Sequence, residues 1–423
     1  MPSPSSSGSG TRRPGGSPAT APSAPSALTG RDFLILLAAT LLAFCNFAPL
    51  LSVLPLWSAG SGTGHGGVGG IAGTMMATTV GVQFLMPWIL SRFGLRPILA
   101  AGALLLGTPT LAYVASPDLT WVLTVSAVRG AGFGMVVVAG SALVAELVPA
   151  AQRGRAAGLY GMAVGLPHVL MLPLGVWYVQ NVGFGAVFVI TALLGVLVVP
   201  LMAMMSGPRA TVHGDPAGSG RPSSRTLRPL AAPWAVLLGT ACAMGGVTSF
   251  LALALGDSGA APVALLLLSL GVILGRWGAG VCTDRIGEGR LMLPGLAASA
   301  LGMVGLAAAT EIDTGAGVLA AGAAVLYGTS FGAVQNDTLV TMFHRAGPGG
   351  GGTASTVWNV GYDAGTGIGS VVVGVLAAEV GIAGSFTVTA LAMLVITPLV
   401  WAAPRRAGTA GGRRSGAPSP GAL

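Results

Sequence analysis

Charge is what this sequence has least of. It contains no lysine, its acids number 12, and only 8% of its 423 residues are charged. Ordinary soluble domains carry roughly a quarter charged residues, so no water-facing surface can be built from this supply. Cysteine is also scarce. Cys45, Cys242 and Cys282 each sit in an apolar stretch, with neither the number nor the spacing of a disulfide framework or a zinc site, and they read as reduced packing residues. The 20 basic residues are all arginines, most of them clustered at loops and tails. That pattern lacks the continuous basic face of a nucleic-acid binder. No metal or cofactor is expected.

What is abundant is apolar. Hydrophobic residues make up 53% of the chain and the mean hydropathy is +0.80, with 69 glycines and 28 prolines. Arginine without lysine, together with abundant Ala, Gly and Pro, suggests a GC-rich bacterial source. Residues 1–30 form a Ser, Pro, Gly and Ala tract that cannot bury enough apolar surface to fold, and it contains no apolar run of a signal peptide. Apolar runs long enough to span a bilayer then recur at 33–56, 68–90, 97–115, 119–144, 156–179 and 184–205. After a polar linker at 206–232 they resume at 233–255, 262–282, 291–309, 316–342, 354–378 and 383–402, ahead of a polar tail at 404–423. An all-α membrane protein of twelve spans is predicted, as six-helix halves at 31–205 and 233–403.

Arginine placement orients it. With the N-terminus inside, the cytoplasmic segments hold Arg12, Arg31, Arg92, Arg96, Arg153, Arg155, Arg285, Arg290, Arg345 and Arg405 among others, and the external loops hold no arginine. Those loops carry Asp118, Asp257, Glu311, Asp313 and Glu379 instead. The positive-inside rule therefore predicts a multi-pass plasma-membrane protein with both termini in the cytoplasm.

The halves repeat. Ser91-Arg92-Phe93-Gly94 matches Asp284-Arg285-Ile286-Gly287 at an offset of 193, Phe133-Gly134 matches Phe331-Gly332 at 198, and Ala157-Gly158 falls against Ala354-Ser355 at 197. Duplicated halves of this kind are typical of transporters whose site lies between them.

The stretch Gly275-Arg276-Trp277-Gly278-Ala279-Gly280-Val281-Cys282-Thr283-Asp284-Arg285-Ile286-Gly287 resembles a signature of the major facilitator superfamily between its eighth and ninth spans. The resemblance covers the chain from Phe33 to Ala402. It implies a cytoplasmic gate formed by Asp284, Arg285 and Arg276, facing Arg153 and Arg155 at the start of span five, with Arg92 and Arg96 as the first-half copy. That copy is degraded, since Pro87 and Ser91 stand where the signature has Gly and Asp. Gly158 to His168 in span five resembles the Gly- and Pro-rich fifth helix of proton-coupled drug exporters, although Leu166 separates Gly165 from Pro167. A bent, tightly packed helix explains the same residues equally well.

Arg129 lies mid-way along span four and resembles the arginine of the family's fourth helix. A charge at such depth costs at least ~2.5 kcal/mol and should face a partner or a cavity, as proton carrier or solute contact. Asp363 lies about ten residues into span eleven, roughly 15 Å of rise, close to the bilayer midplane. An acid there must be neutral, paired or wet, which suits a proton carrier. Asp337 is a second acid of this kind, nearer the cytoplasmic end, where bonding to loop groups is the alternative. Asn46, Gln83, Gln335, Asn336, Trp358 and Asn359 are candidate solute contacts, with helix-to-helix hydrogen bonding as the alternative. Tyr160, Tyr327 and His168 read as packing residues before they read as site residues. Ser61 and His65 share one loop, but no acid completes a nucleophilic pair, so an enzyme is not expected.

The predicted protein is thus a monomeric secondary transporter in a lipid bilayer, moving a small molecule with protons by alternating access. Export of an uncharged or amphiphilic drug-like or natural-product solute is favoured. Transport of a sugar or related metabolite is the alternative, and a non-transporting receptor is another class this architecture admits.

Overall fold

The structure is a computed structural model that describes residues 27–149, 152–206, 227–256, 259–312, 314–347 and 350–395. All regular structure among the described residues is helical. Apolar solvent leaves backbone N–H and C=O groups nothing to bond except each other, and the helix satisfies them within one segment. The first half comprises α1 (Arg31–Gly60), α2 (His65–Phe93), α3 (Leu95–Gly107, continued by a 3-10 stretch Thr108–Val114) and α4 (Leu119–Leu147). It ends with α5 (Arg153–Asn181) and α6 (Phe184–Val196, extended by Val198–Ala203). The second half holds α7 (Ala231–Leu255), α8 (Ala260–Ile286), α9 (Met292–Ala309) and α10 (Ala316–Ala346). The last helical run, Gly351–Val395, is broken at Gly381, whose φ of 72° no L side chain adopts readily. It is therefore two helices, α11 (351–380) and α12 (382–395), the rest of the predicted twelfth span lying outside the described residues. The tails and most of the 206–232 linker also lie outside them.

Eleven of the helical segments among the described residues are long and apolar enough to cross a bilayer, the last of them being the α11–α12 pair. Every predicted span is matched by a helix. The third alone is partly 3-10.

The halves pack by one plan, and glycine sets it. In the first half, Gly130 and Gly134 of α4 lie directly against the Met75 and Thr79 carbonyls of α2. In the second, Gly328 and Gly332 of α10 lie directly against the Leu268 and Val272 carbonyls of α8. The glycines are 198 apart and their partners 193 apart. These are the offsets at which the sequence motifs repeat, now expressed as contacts. Turns follow suit: Gly94 (φ 76°) ends α2 and Gly287 (φ 89°) ends α8. Helices this close are held by dispersion and packing, because lipid offers no hydrophobic drive between them.

The halves meet at the end away from the arginines. There Val68, Leu172 and Val176 of the first half share one core with Phe250, Leu251 and Leu265 of the second. Ser52 donates to the Thr248 carbonyl at 2.6 Å, and Gly69 and Gly374 bring α2 and α11 into contact. A Cβ at Gly81 of α2, at Gly158, Gly161 or Gly165 of α5, or at Gly278 of α8 would meet nothing within 4 Å.

These contacts separate two kinds of helical glycine. In Gly328→Ala the new methyl collides with the Leu268 carbonyl, and the α8–α10 pair must separate at a cost of about 1–3 kcal/mol. Gly81→Ala has open space and gains up to about 1 kcal/mol of helix propensity. Thermal unfolding in detergent should therefore drop for the first and hold or rise for the second. A Gly328→Ala protein as stable as wild type would overturn the close-packing account.

Candidate functional site

Asp363 is placed on α11 by a run of small residues, Gly361, Gly365, Gly367 and Gly369, which lets α11 press against α7 and α2. Its carboxyl is 6% exposed and accepts a hydrogen bond of 2.7 Å from the Gln83 amide of α2. That bond joins the two halves. No basic side chain pairs with Asp363 among the described residues, whose ion pairs are Arg96–Asp32 and His344–Glu288.

Each half also holds an aromatic group. On the second half, Trp358 and Tyr362 stack at 5.7 Å and Tyr362 meets Phe331. On the first half, Phe47 and Phe133 stack at 4.0 Å, and the His168 ring of α5 lies 5.9 Å from both Phe44 and Phe47. Arg276 lies on α8. The resemblance assigned it to the gate, but it lies about 15 Å inside the end of its helix. Its side chain is exposed. The buried Gln335 amide approaches the Tyr362 hydroxyl from α10. Trp358 donates to the Thr338 hydroxyl at 3.3 Å, and Asn359 bonds back to the Ser355 carbonyl at 2.8 Å.

Arg129 and Asn46 are elsewhere. Arg129 is 0% exposed, inside the first half. Its Nε donates to the Leu106 carbonyl at 3.1 Å, one terminal nitrogen donates to Asn46 Oδ1 at 3.1 Å, and its guanidinium lies 5.7 Å from the Tyr113 ring. Asn46 in turn donates to the Thr191 carbonyl at 2.7 Å. One arginine and one amide thus tie α1, α3, α4 and α6. The repeat mate of Arg129, at the offset of 198, is Tyr327, whose hydroxyl donates to the Thr240 carbonyl of α7 at 2.9 Å. The second half makes the corresponding tie without a charge. Tyr327 is fully buried and stacks on Phe331; Tyr160 packs on Gly140.

Asp337 is also buried, and its two oxygens accept from the Gly289 and Leu291 N–H groups at 2.7 and 2.9 Å. It caps the start of α9 and orders the loop after α8. Of the predicted gate, Arg92 stacks 5.2 Å over Trp88, and Arg96 pairs at 3.6 Å with Asp32 of its own half. Arg155 and Arg285 are exposed, and the side chains of Arg153 and Asp284 lie outside the described residues. Ser91 bonds the Trp88 carbonyl at 2.7 Å. Ser61 bonds the Trp57 carbonyl while His65 meets Phe250, so no nucleophilic pair forms between them.

The Major Facilitator Superfamily profile matches residues 36–363. The chain belongs to the major facilitator superfamily. Solved structures of similar fold include a bacterial homologue of the human lysosomal transporter Spinster, inward-facing and unoccupied (14% identity, TM-score 0.70, 89% of this chain and 97% of that one). The nucleoside transporter NupG is another (14%, 0.68, 88% and 98%), as is a D-xylose–proton symporter (14%, 0.70, 88% and 97%). At such identities the likeness shows the fold alone. No curated protein sequence matches the chain. As a major facilitator superfamily member it is a multi-pass membrane transporter of small molecules and not an enzyme.

Sequence reading identified Gln83 and Asp363 separately and missed their bond, and it passed over Tyr362. Arg276 was detectable: the depth rule that singled out Arg129 applies equally to a charge six residues inside a predicted span. For the Arg129 tie, Asn46→Leu removes a hydrogen bond to a charged group and should cost about 1.5–3 kcal/mol. In an Arg129→Leu background the same change should cost far less. Equal losses in both backgrounds, read by thermal unfolding, would show that the pair is not coupled.

Proposed function

We propose that this protein is a proton-coupled exporter of a small amphiphilic organic solute, working by alternating access in the bacterial plasma membrane with both termini cytoplasmic. The observation that carries the coupling is the Gln83–Asp363 bond. A carboxyl at bilayer depth with an amide partner and no cation is favoured in its neutral form, so it takes up a proton before it can sit there. Because the amide belongs to one half and the carboxyl to the other, the charge on Asp363 biases how the halves dock.

An aromatic group in each half suits a solute with a planar apolar body. Export is supported by α5. Its glycines 158, 161 and 165 face open space and not a neighbouring helix, so tight packing does not account for the Gly- and Pro-rich segment that resembles drug exporters. In the state closed at the arginine-bearing end, the end of α8 that carries Asp284 and Arg285 comes to the start of α5, while Arg129 and Asn46 keep the first half rigid.

The test is solute flux into proteoliposomes under an imposed pH gradient. Asp363→Asn, which keeps shape and loses the titrating group, is expected to abolish pH-driven accumulation while leaving solute exchange measurable. Gln83→Leu should weaken coupling and leave binding within a few-fold. Unchanged pH-driven accumulation by the Asp363→Asn protein would remove Asp363 from the mechanism.

A further inference from the structure

Arg129 brings a positive charge into the apolar interior of the first half, and only part of its guanidinium is engaged. The side chain is 0% exposed. Its Nε and one terminal nitrogen donate to the Leu106 carbonyl and to Asn46, while the other terminal nitrogen, Nη1, has no hydrogen-bond partner. No acid meets it, since the ion pairs among the described residues are Arg96–Asp32 and His344–Glu288. A buried charge without a counter-charge and a buried donor without an acceptor are both costly.

The same side chain lines a small cavity between α1, α2 and α4. Leu51 and Pro55 of α1 and Ile71, Ala72 and Met75 of α2 are among its walls, and every lining side chain other than Arg129 is apolar. The space takes one particle of about water or halide size. With Nε and its fellow terminal nitrogen already bonded to protein, Nη1 is the donor left for whatever sits there.

We propose that this cavity is a binding site for a small monoanion of halide size, such as chloride, held by Arg129. The site is separate from the Gln83–Asp363 bond and does not depend on the transport function proposed above. Charge and size together choose the occupant. One guanidinium calls for one negative charge, and a multiply charged anion would leave an excess inside an apolar enclosure. Carboxylates and other polyatomic anions exceed the space. Water is the rival. Pro55 lacks the N–H that would bond the Leu51 carbonyl, so a water between that carbonyl and Nη1 would meet two polar groups. It would still leave the charge of Arg129 uncompensated, which a halide does not. The carbonyl opposes the anion with a partial charge, and the guanidinium attracts it with a full one. An anion seated against α2 would add that helix to those Arg129 already ties.

Thermal unfolding of the full chain in detergent tests this, with sodium chloride exchanged for sodium gluconate at constant ionic strength. A saturable rise of a few degrees is expected with chloride and again with bromide. Arg129→Gln removes the charge and should abolish the response. Ala72→Leu fills the cavity while keeping Arg129 and its bonds to Leu106 and Asn46, and it should abolish the response even if Arg129→Gln fails to fold. The exposed-surface control Arg290→Gln should keep it. Bromide soaked into crystals of the wild-type protein is expected to give an anomalous peak beside Nη1. No chloride response, a response without saturation, or one that survives Ala72→Leu or Arg129→Gln in a monodisperse protein would overturn the site. So would density beside Nη1 with no anomalous signal, which would mark a water.

Discussion

The cost of stripping water from a polar group governs this molecule more than any other term. A chain with 8% charged residues places only a few polar side chains at bilayer depth, and each must find its partner in the protein, in the cavity or in a solute. Asn46 and Arg129 bond one another and their neighbours inside the first half. Asp337 meets two backbone N–H groups at the start of α9. Asp363 of the second half meets the Gln83 amide of the first. Among the buried polar atoms left without a partner are one terminal nitrogen of Arg129, Gln335 Oε1 and Asn336 Nδ2.

The scaffold that permits this is built from close backbone contact. Glycines of α4 and α10 sit on carbonyls of α2 and α8 at matched offsets, giving two halves of the same internal geometry. Packed helices of this kind resist continuous deformation, so motion is confined to where the halves meet. Val68, Leu172 and Phe250 close that interface at one end. A rocking motion that opens one end as it closes the other is what duplicated halves around a midplane site allow.

The repeat also shows how one plan was put to two uses. Arg129 and Tyr327 occupy equivalent positions, and both hold the first helix of their half, one through a charge on Asn46 and the other through a hydroxyl on the Thr240 carbonyl. The charge in the first half is therefore read most simply as a tie between helices. Arg276 of the second half lies on a different helix and is exposed.

The sequence by itself determined the membrane environment, the helical class, the twelve spans and the duplication, because a bilayer leaves one way to satisfy a spanning backbone and because hydropathy and motif offsets are local properties of the chain. It also identified Asp363 and Gln83 as polar groups too deep to be idle. Which partners those groups take was decided only by tertiary structure. Gln83 and Asp363 are 280 positions apart, and Arg129 and Asn46 are 83 apart. No local pattern encodes such meetings, since they depend on how helices rotate and cross. Desolvation makes each deep polar residue need a partner, and the packing of the two halves decides whether that partner is the protein or the solute.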